Sequence, residues 1–339
     1  MAGVAVAGLA ADAAAGLAPL AGLTGLPAFL VNVATFAVVY MILALGLNLQ
    51  WGYTGLFNIS VAAFWGIGAY TAALVTKPPS APTALGLNLP YLWVDVAGVP
   101  LPLAPAVVAG ALAAGAVGLL IALPTLRLRD DYLAIATLGL AEVIRLILTN
   151  EGWLTQGARG LTVSNPILGM DYSNLILLGV ALALLGVTYW LLETGVDSPW
   201  GRVLKAVRED ERVAESVGKD TFAFKTQSFV LGSMVMGAAG TITALQLNFL
   251  VPGQFSPRWA FYVYIAVIVG GSGTNRGAVL GGFLLAVLLE LPRFLRDYVP
   301  FESVVTNLRL LVIGLLVILV MTYRPWGVLG DPEAMRREG

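Results

Sequence analysis

The sequence predicts an all-α polytopic membrane protein with about 8–10 transmembrane or re-entrant helices, since a helix crosses the hydrocarbon core with about 20 apolar residues. Three observations carry this expectation. Apolar residues make up 58% of the chain and charged residues only 12%, where ordinary soluble domains carry about 25% charge; the mean hydropathy is +0.85. Apolar runs of spanning length recur from one end of the chain to the other. Charge, by contrast, is concentrated: "GRVLKAVREDERVAESVGKDTFAFK", residues 201–225, holds six basic and five acidic side chains.

Taken in order, residues 1–27 are a weakly apolar segment without Lys or Arg. A secretory signal has a basic n-region, so an uncleaved extra helix or tail is expected. The membrane domain, 28–325, contains spans near 28–49, 55–75, 103–123, 131–150, 172–192, 227–250, 259–271, 278–292 and 304–322, and 326–339 is expected to be a cytoplasmic tail. Several spans are short or rich in Gly and read as broken or re-entrant. A bilayer tolerates such backbone only where protein buries it or where it lines a watery cavity.

Orientation follows the Lys/Arg bias of short loops. With the charged loop placed in the cytoplasm, Arg127, Arg129, Arg276, Arg324, Arg336 and Arg337 share its side, giving twelve basic residues there. Five face the other side: Lys77, Arg159, Arg258, Arg293 and Arg296.

Composition also excludes. Without cysteine there are no disulfides, thiol nucleophiles or thiolate metal sites. Without histidine the commonest metal ligand and the usual neutral-pH acid–base group are missing. No metal site and no catalytic residue is expected. A net charge of −1 gives no reason to expect nucleic acid. No G-x-x-x-x-G-K-[ST] phosphate loop occurs, "GGSGTNRGAV" lacking the lysine.

Within the charged loop, Val203, Leu204, Val207, Ala214 and Val217 recur at helical spacing. One amphipathic helix over 203–217 is expected, with Lys205 and Glu209 as an i, i+4 pair, Arg208 three residues before Glu211, and Gly218 at the C-cap. The stretch "LNLQWGYTGLFNIS" sets Asn48, Gln50, Tyr53, Thr54, Asn58 and Ser60 inside an apolar span, where unpaired polar groups cost several kcal/mol each. Gly52 and Gly55 are expected to break that helix. Two readings stand: these residues line a substrate pathway, as discontinuous helices do in transporters, or they hydrogen-bond helices together. A second break is expected at Pro252–Gly253. Leu49 and Gln50 precede Gly55 to Phe57, as Leu245 and Gln246 precede Gly253 to Phe255, which suggests counterparts in an internal repeat. Glu142 and Arg145 can pair within the membrane, as a functional or a structural pair. Gly277 and Gly281 have the small-xxx-small spacing of close helix approach.

Five ordered blocks resemble the LivM-type permeases of branched-chain amino-acid ABC transporters: "LGLNLQWGYTGLFNISVAAFWGIGAYTAALV", "LRLRDDYLAIATLGLAEVIRLILTN", "TQGARGLT", "REDERVAESVGKDTFAFKTQSFVLGSMVMGAAGTITA" and "VIVGGSGTNRGAVLGGFLL". The chain departs at Ser60–Val61, where many relatives have Gly-His. The resemblance implies an ABC importer permease fold in the bacterial inner membrane, with a cytoplasmic coupling segment at 199–225. It implies a second related permease subunit, two ABC ATPase subunits and an extracytoplasmic solute-binding protein, besides membrane lipid. ATP and Mg would be bound by the ATPases and no cofactor by this chain, which would not itself be an enzyme. The helix at 203–217 would insert into an ATPase groove, with Arg202, Arg208, Glu209, Asp210, Glu211 and Glu215 as polar contacts and Gly218 ending it. The expected solute is a branched-chain or other amino acid, with urea or a short amide as the sibling reading. An ion-coupled secondary transporter, with Glu142 and Glu290 as its carboxylates, is the alternative from another class.

Overall fold

The computed structural model describes residues 26–76, 95–96, 99–100, 103–128, 130–163, 173–295 and 302–330. The expectations for residues 1–25 and 331–339, and for Lys77, Arg129, Arg296, Arg336 and Arg337, lie outside the described residues. Backbone in a bilayer must satisfy its own hydrogen bonds, and the described chain accordingly forms twelve α-helices with only two-residue strands.

Helix α1 is Leu26–Leu47, α2 Val61–Val75, α3 Leu103–Thr125, α4 Asp130–Asn150, the short α5 Gly152–Thr155 and α6 Ser173–Asp197. The charged loop holds α7, Pro199–Glu209, and α8, Glu211–Ser216. Then come α9, Thr221–Leu247, α10, Arg258–Gly270, α11, Asn275–Leu295, and α12, Glu302–Tyr323. Among the described residues, five helical stretches are long and apolar enough to cross a membrane: Pro27–Tyr53, Pro105–Thr125, Asp131–Asn150, Ser173–Asp197 and Thr221–Leu247. An antiparallel pair ties Leu161–Thr162 to Phe249–Leu250.

Of the departures from the expected elements, three have a clear local reason. The span near 55–75 is helical only from Val61, because residues 54–60 turn their polar groups sideways. The span near 227–250 begins at Thr221, since Asp220 caps α9 by accepting from Ala223 N at 3.1 Å. The single helix at 203–217 is two. Asp210 adopts extended backbone and its carboxylate accepts from Arg212 N at 2.9 Å and Val213 N at 3.1 Å, which stops α7 and starts α8.

The core forms where α9 crosses α1, α2 and α3. Small residues make this possible: a Cβ on Gly68 of α2 would stand 1.9 Å from Gly237 O of α9. The α10–α11 contact is as close, with a Cβ on Gly281 1.8 Å from Ala266 O.

Helices α1 and α9 run antiparallel, Asn32 lying beside Gln246, Gly46 beside Gly232 and Gln50 beside Phe229. Each ends in a break that leads into a shorter helix, α2 or α10. The two breaks therefore lie at opposite ends of one antiparallel helix pair. The charged loop, the α1 break and the α10–α11 turn share one end: Arg208 donates to Gly52 O, and a Cβ on Gly273 would meet that guanidinium. Arg127 joins them there, 5.5 Å over the Phe222 ring at the start of α9.

Candidate functional site

The first break begins as a π-helical turn at Asn48–Tyr53. Wider hydrogen-bonded turns free carbonyls and are frequent at functional sites. Gly52 has no room for a side chain, since a Cβ would fall 2.0 Å from Asn48 Oδ1 and 2.7 Å from Gly273 N. Gly55 takes φ +80, a conformation that glycine adopts without strain, and it faces Arg208.

Of the expected pathway residues, Asn48, Gln50, Tyr53, Asn58 and Ser60 are buried and Gly55 is half-buried. Their polar atoms form a closed set. Gln50 Nε2 donates to Phe229 O at 2.7 Å and reaches Ser233 Oγ at 3.4 Å, while Asn58 Nδ2 donates to Gln50 Oε1 at 2.7 Å. Asn58 Oδ1 accepts from Ser60 N at 2.8 Å and from the Ser60 hydroxyl, and Asn58 O accepts from the Tyr264 hydroxyl at 3.1 Å. Thr54 and Ser228 share a hydrogen bond at 2.7 Å, and both reach Leu49 O. Ile59 N donates to Thr137 Oγ1 at 3.0 Å. In this conformation the residues bond helices α1, α4, α9 and α10 together.

A chain of contacts runs from this break to the charged loop. Asn48 Oδ1 accepts from Gly273 N at 2.9 Å, and Asn275 Nδ2 donates to Glu193 Oε2 at 2.7 Å. Arg208 binds Gly52 O, and Lys205 lies 5.6 Å over the Tyr53 ring. Lys205 and Arg208 thus turn toward the break, away from the expected helical partners Glu209 and Glu211.

Several expected ATPase contacts have partners inside the chain. Asp210 caps α8. Glu211 holds Lys225 at 2.8 and 3.0 Å. Glu215 accepts from Thr221 Oγ1 at 2.9 Å. Gly218, at φ +78, ends α8 with Gly218 N bonded to Glu215 O and Lys219 N to Ala214 O, a Schellman cap. Leu204, Val207 and Ala214 point inward as the spacing predicts, but Val217 does not. Val213 on α8 is 59% and Val217 at its C-cap 67% exposed, and Arg202, Glu209 and Arg212 are exposed nearby in sequence. The reason is that α8 ends at Ser216, which leaves Val217 at its C-cap, off the helix face that buries Ala214.

Glu142 and Arg145 form a bidentate pair on α4, Arg145 Nε donating to Glu142 Oε2 at 2.9 Å. Their side chains remain 41% and 27% exposed, so the pair closes on itself at the helix surface. Sequence reading missed Ser228, Ser233, Thr137, Tyr264 and Asn275. Two serines in the apolar run "TQSFVLGSMVMG" were the available signal for α9.

Comparison of the sequence says which family carries this arrangement. The family described as "Branched-chain amino acid transport system / permease component" matches residues 29–321. The chain belongs to this family. LivM of Escherichia coli (strain K12), a high-affinity branched-chain amino acid transport system permease protein, is 32% identical over 325 residues, covering 88% of this chain and 69% of that protein. A probable branched-chain amino acid transport permease LivM of Methanocaldococcus jannaschii is 26% identical, covering 86% and 90%. LivH of Escherichia coli (strain K12) is 24% identical, covering 89% and 94%. No solved structure matches. As a member of this permease family with several apolar spanning helices, the chain is a multi-pass protein of the inner membrane.

Proposed function

We propose that this permease translocates branched-chain amino acids as one of two related permease subunits, driven by ATP bound with Mg in two partner ATPases and supplied by an extracytoplasmic binding protein. Its similarity to both LivM and LivH supports a related second permease. The observation that carries the reading is Arg208: it belongs to the charged loop yet binds Gly52 O in the α1 break. A force on the loop therefore acts on the π-helical turn that follows α1, where the α-helical ladder has already given way.

In this scheme the charged loop is cytoplasmic, and Val213 and Val217 form the apolar knob that enters the ATPase groove. Arg202, Glu209 and Arg212 are its charged rim. Arg208, Asp210, Glu211, Glu215 and Gly218 shape the knob and link it to the break. The Asn48, Gln50, Asn58 and Ser60 set is the latch that opens when the ATPases close. Such coupling requires contact energies that differ between the two states.

Co-purification tests this. Val213→Asp with Val217→Asp leaves insertion intact, and the ATPases no longer co-purify. Normal assembly of that variant, or leucine uptake by the chain with no ATPase present, would overturn the reading.

A further inference from the structure

The end of α9 carries two polar atoms that nothing in the bundle uses. Among the described residues, Gln246 Oε1 and Asn248 Oδ1 are shut from solvent and meet no donor. Their nitrogens are placed: Gln246 Nε2 donates to Asn32 O at 2.9 Å and Asn248 Nδ2 reaches Gln246 O at 3.4 Å. The 2.9 Å bond sets which atom of the Gln246 amide is the oxygen, and the longer Asn248 contact favours the same orientation there. A carbonyl acceptor left buried and unmet costs about 1–3 kcal/mol. The other break shows what is missing, because there Asn58 supplies the donor to Gln50 Oε1. Ser256 follows Phe255 as Asn58 follows Phe57, and it has no amide.

The helix that Gln246 bonds carries an aromatic row. Asn32, Phe36 and Tyr40 follow at intervals of four on α1 and so share a face. Phe36 stacks on Tyr40 at 6.5 Å, and Tyr40 on Trp259 at 6.0 Å and 18°. At 1.5 Å per residue, Phe36 and Tyr40 stand about 6 and 12 Å inward from Asn32. Gly253, in the loop that follows, is exposed, and a Cβ on it would meet nothing within 4 Å. The site also stands at the C-terminus of a helix, the end that favours positive charge.

We propose that the end of α9 recognises the primary ammonium of an apolar solute, with Gln246 Oε1 and Asn248 Oδ1 as acceptors and Phe36, the first ring of the Phe36–Tyr40–Trp259 stack, against its apolar side chain. The proposal rests on the amino-acid transport reading above. An ammonium has three donors and no acceptor, which suits two unmet oxygens, whereas a carboxylate would be repelled by them. The oxygens are closed over in this conformation, so the loop at 248–257 parts from α1 to admit the solute.

Two fragments of leucine test this on the assembled transporter in nanodiscs. Leucine delivered by the binding protein comes first: if it fails to stimulate ATP hydrolysis, the transport reading itself is wrong. With that stimulation in hand, 3-methylbutylamine, which keeps the ammonium, alters the fluorescence contributed by Trp259, defined as the difference from Trp259→Phe. 4-Methylpentanoate, which keeps the carboxylate, does not. Asn248→Gly suits the left-handed backbone at φ 57 and removes one acceptor. It weakens the amine about tenfold, the loss of one hydrogen bond to a charged group, and Asn248→Asp strengthens it. Equal binding of amine and acid, or unchanged amine affinity in Asn248→Gly, would overturn the proposal.

Discussion

Gln50 and Gln246 hold the same position in two oppositely directed halves: each ends a long helix, and each donates its amide to a backbone carbonyl of the other's helix. Gln50 reaches Phe229 O on α9 at 2.7 Å, and Gln246 reaches Asn32 O on α1 at 2.9 Å. The helix pair is thus pinned at both ends by one residue type. The pins differ in what else they hold, since Gln50 Oε1 has a donor and Gln246 Oε1 has none.

That difference sets the first expectation. Gln50→Leu strands the Asn58 amide in the core and deletes the link between α1 and α9. With about 1–3 kcal/mol for each buried group left unpaired, the loss is about 2–5 kcal/mol. Gln246→Met removes one bond and an already unmet oxygen, so it costs under about 1 kcal/mol. Thermal unfolding of the purified permease ranks the two, and equal losses would show that the first break is no tighter than the second.

Glycines at the crossings give a second contrast. Gly68→Ala drives a methyl into Gly237 O, which forces α2 and α9 apart and costs about 1–3 kcal/mol or more. Gly139→Ala on α4 meets nothing within 4 Å, and helix propensity favours alanine there by about 1 kcal/mol. Melting temperatures of the two variants should move in opposite directions.

How much of this was legible in the sequence depends on the range of the interaction. The spans, the interruption after Leu49 and the cap at Gly218 follow from local composition and backbone preference, and they stand in the bundle within a few residues of where the sequence puts them. The partners of the polar residues do not, because a sequence does not say what faces Asn48 or Gln50 across the bundle. Asp210 shows a finer limit. Its neighbours continue a helical pattern, yet its side chain competes for the backbone donors of Arg212 and Val213 and ends one helix to begin another. Val217 is exposed because the second helix stops at Ser216, before its face could carry Val217 inward beside Ala214.

Asp210 is itself testable. Replacement of an N-cap Asp by Ala costs about 1 kcal/mol, and a helix as short as α8 has little else to hold it. Asp210→Ala should speed amide exchange across 211–216 while leaving α7 protected. Unchanged exchange would mean that the Lys225–Glu211 and Thr221–Glu215 bonds hold α8 without the cap.

The contact between Arg208 and Gly52 decides whether the loop moves the membrane part or merely lies against it. Lys at 208 keeps the charge and can donate to one carbonyl, but it lacks the planar fork that also lies beside Gly273. Ala at 208 removes the link and leaves the Val213–Val217 knob unchanged. In the assembled transporter, Arg208→Ala should therefore retain the ATPases and their basal hydrolysis, yet lose most leucine-stimulated hydrolysis and transport. Arg208→Lys should fall between. The loss of one charge-assisted hydrogen bond, about 1.5–3 kcal/mol, corresponds to a drop of about tenfold or more in the coupled state's population. Arg208→Ala with transport and hydrolysis still linked as in the wild type would place the coupling elsewhere, the contact between Asn48 and Gly273 being the next link to remove.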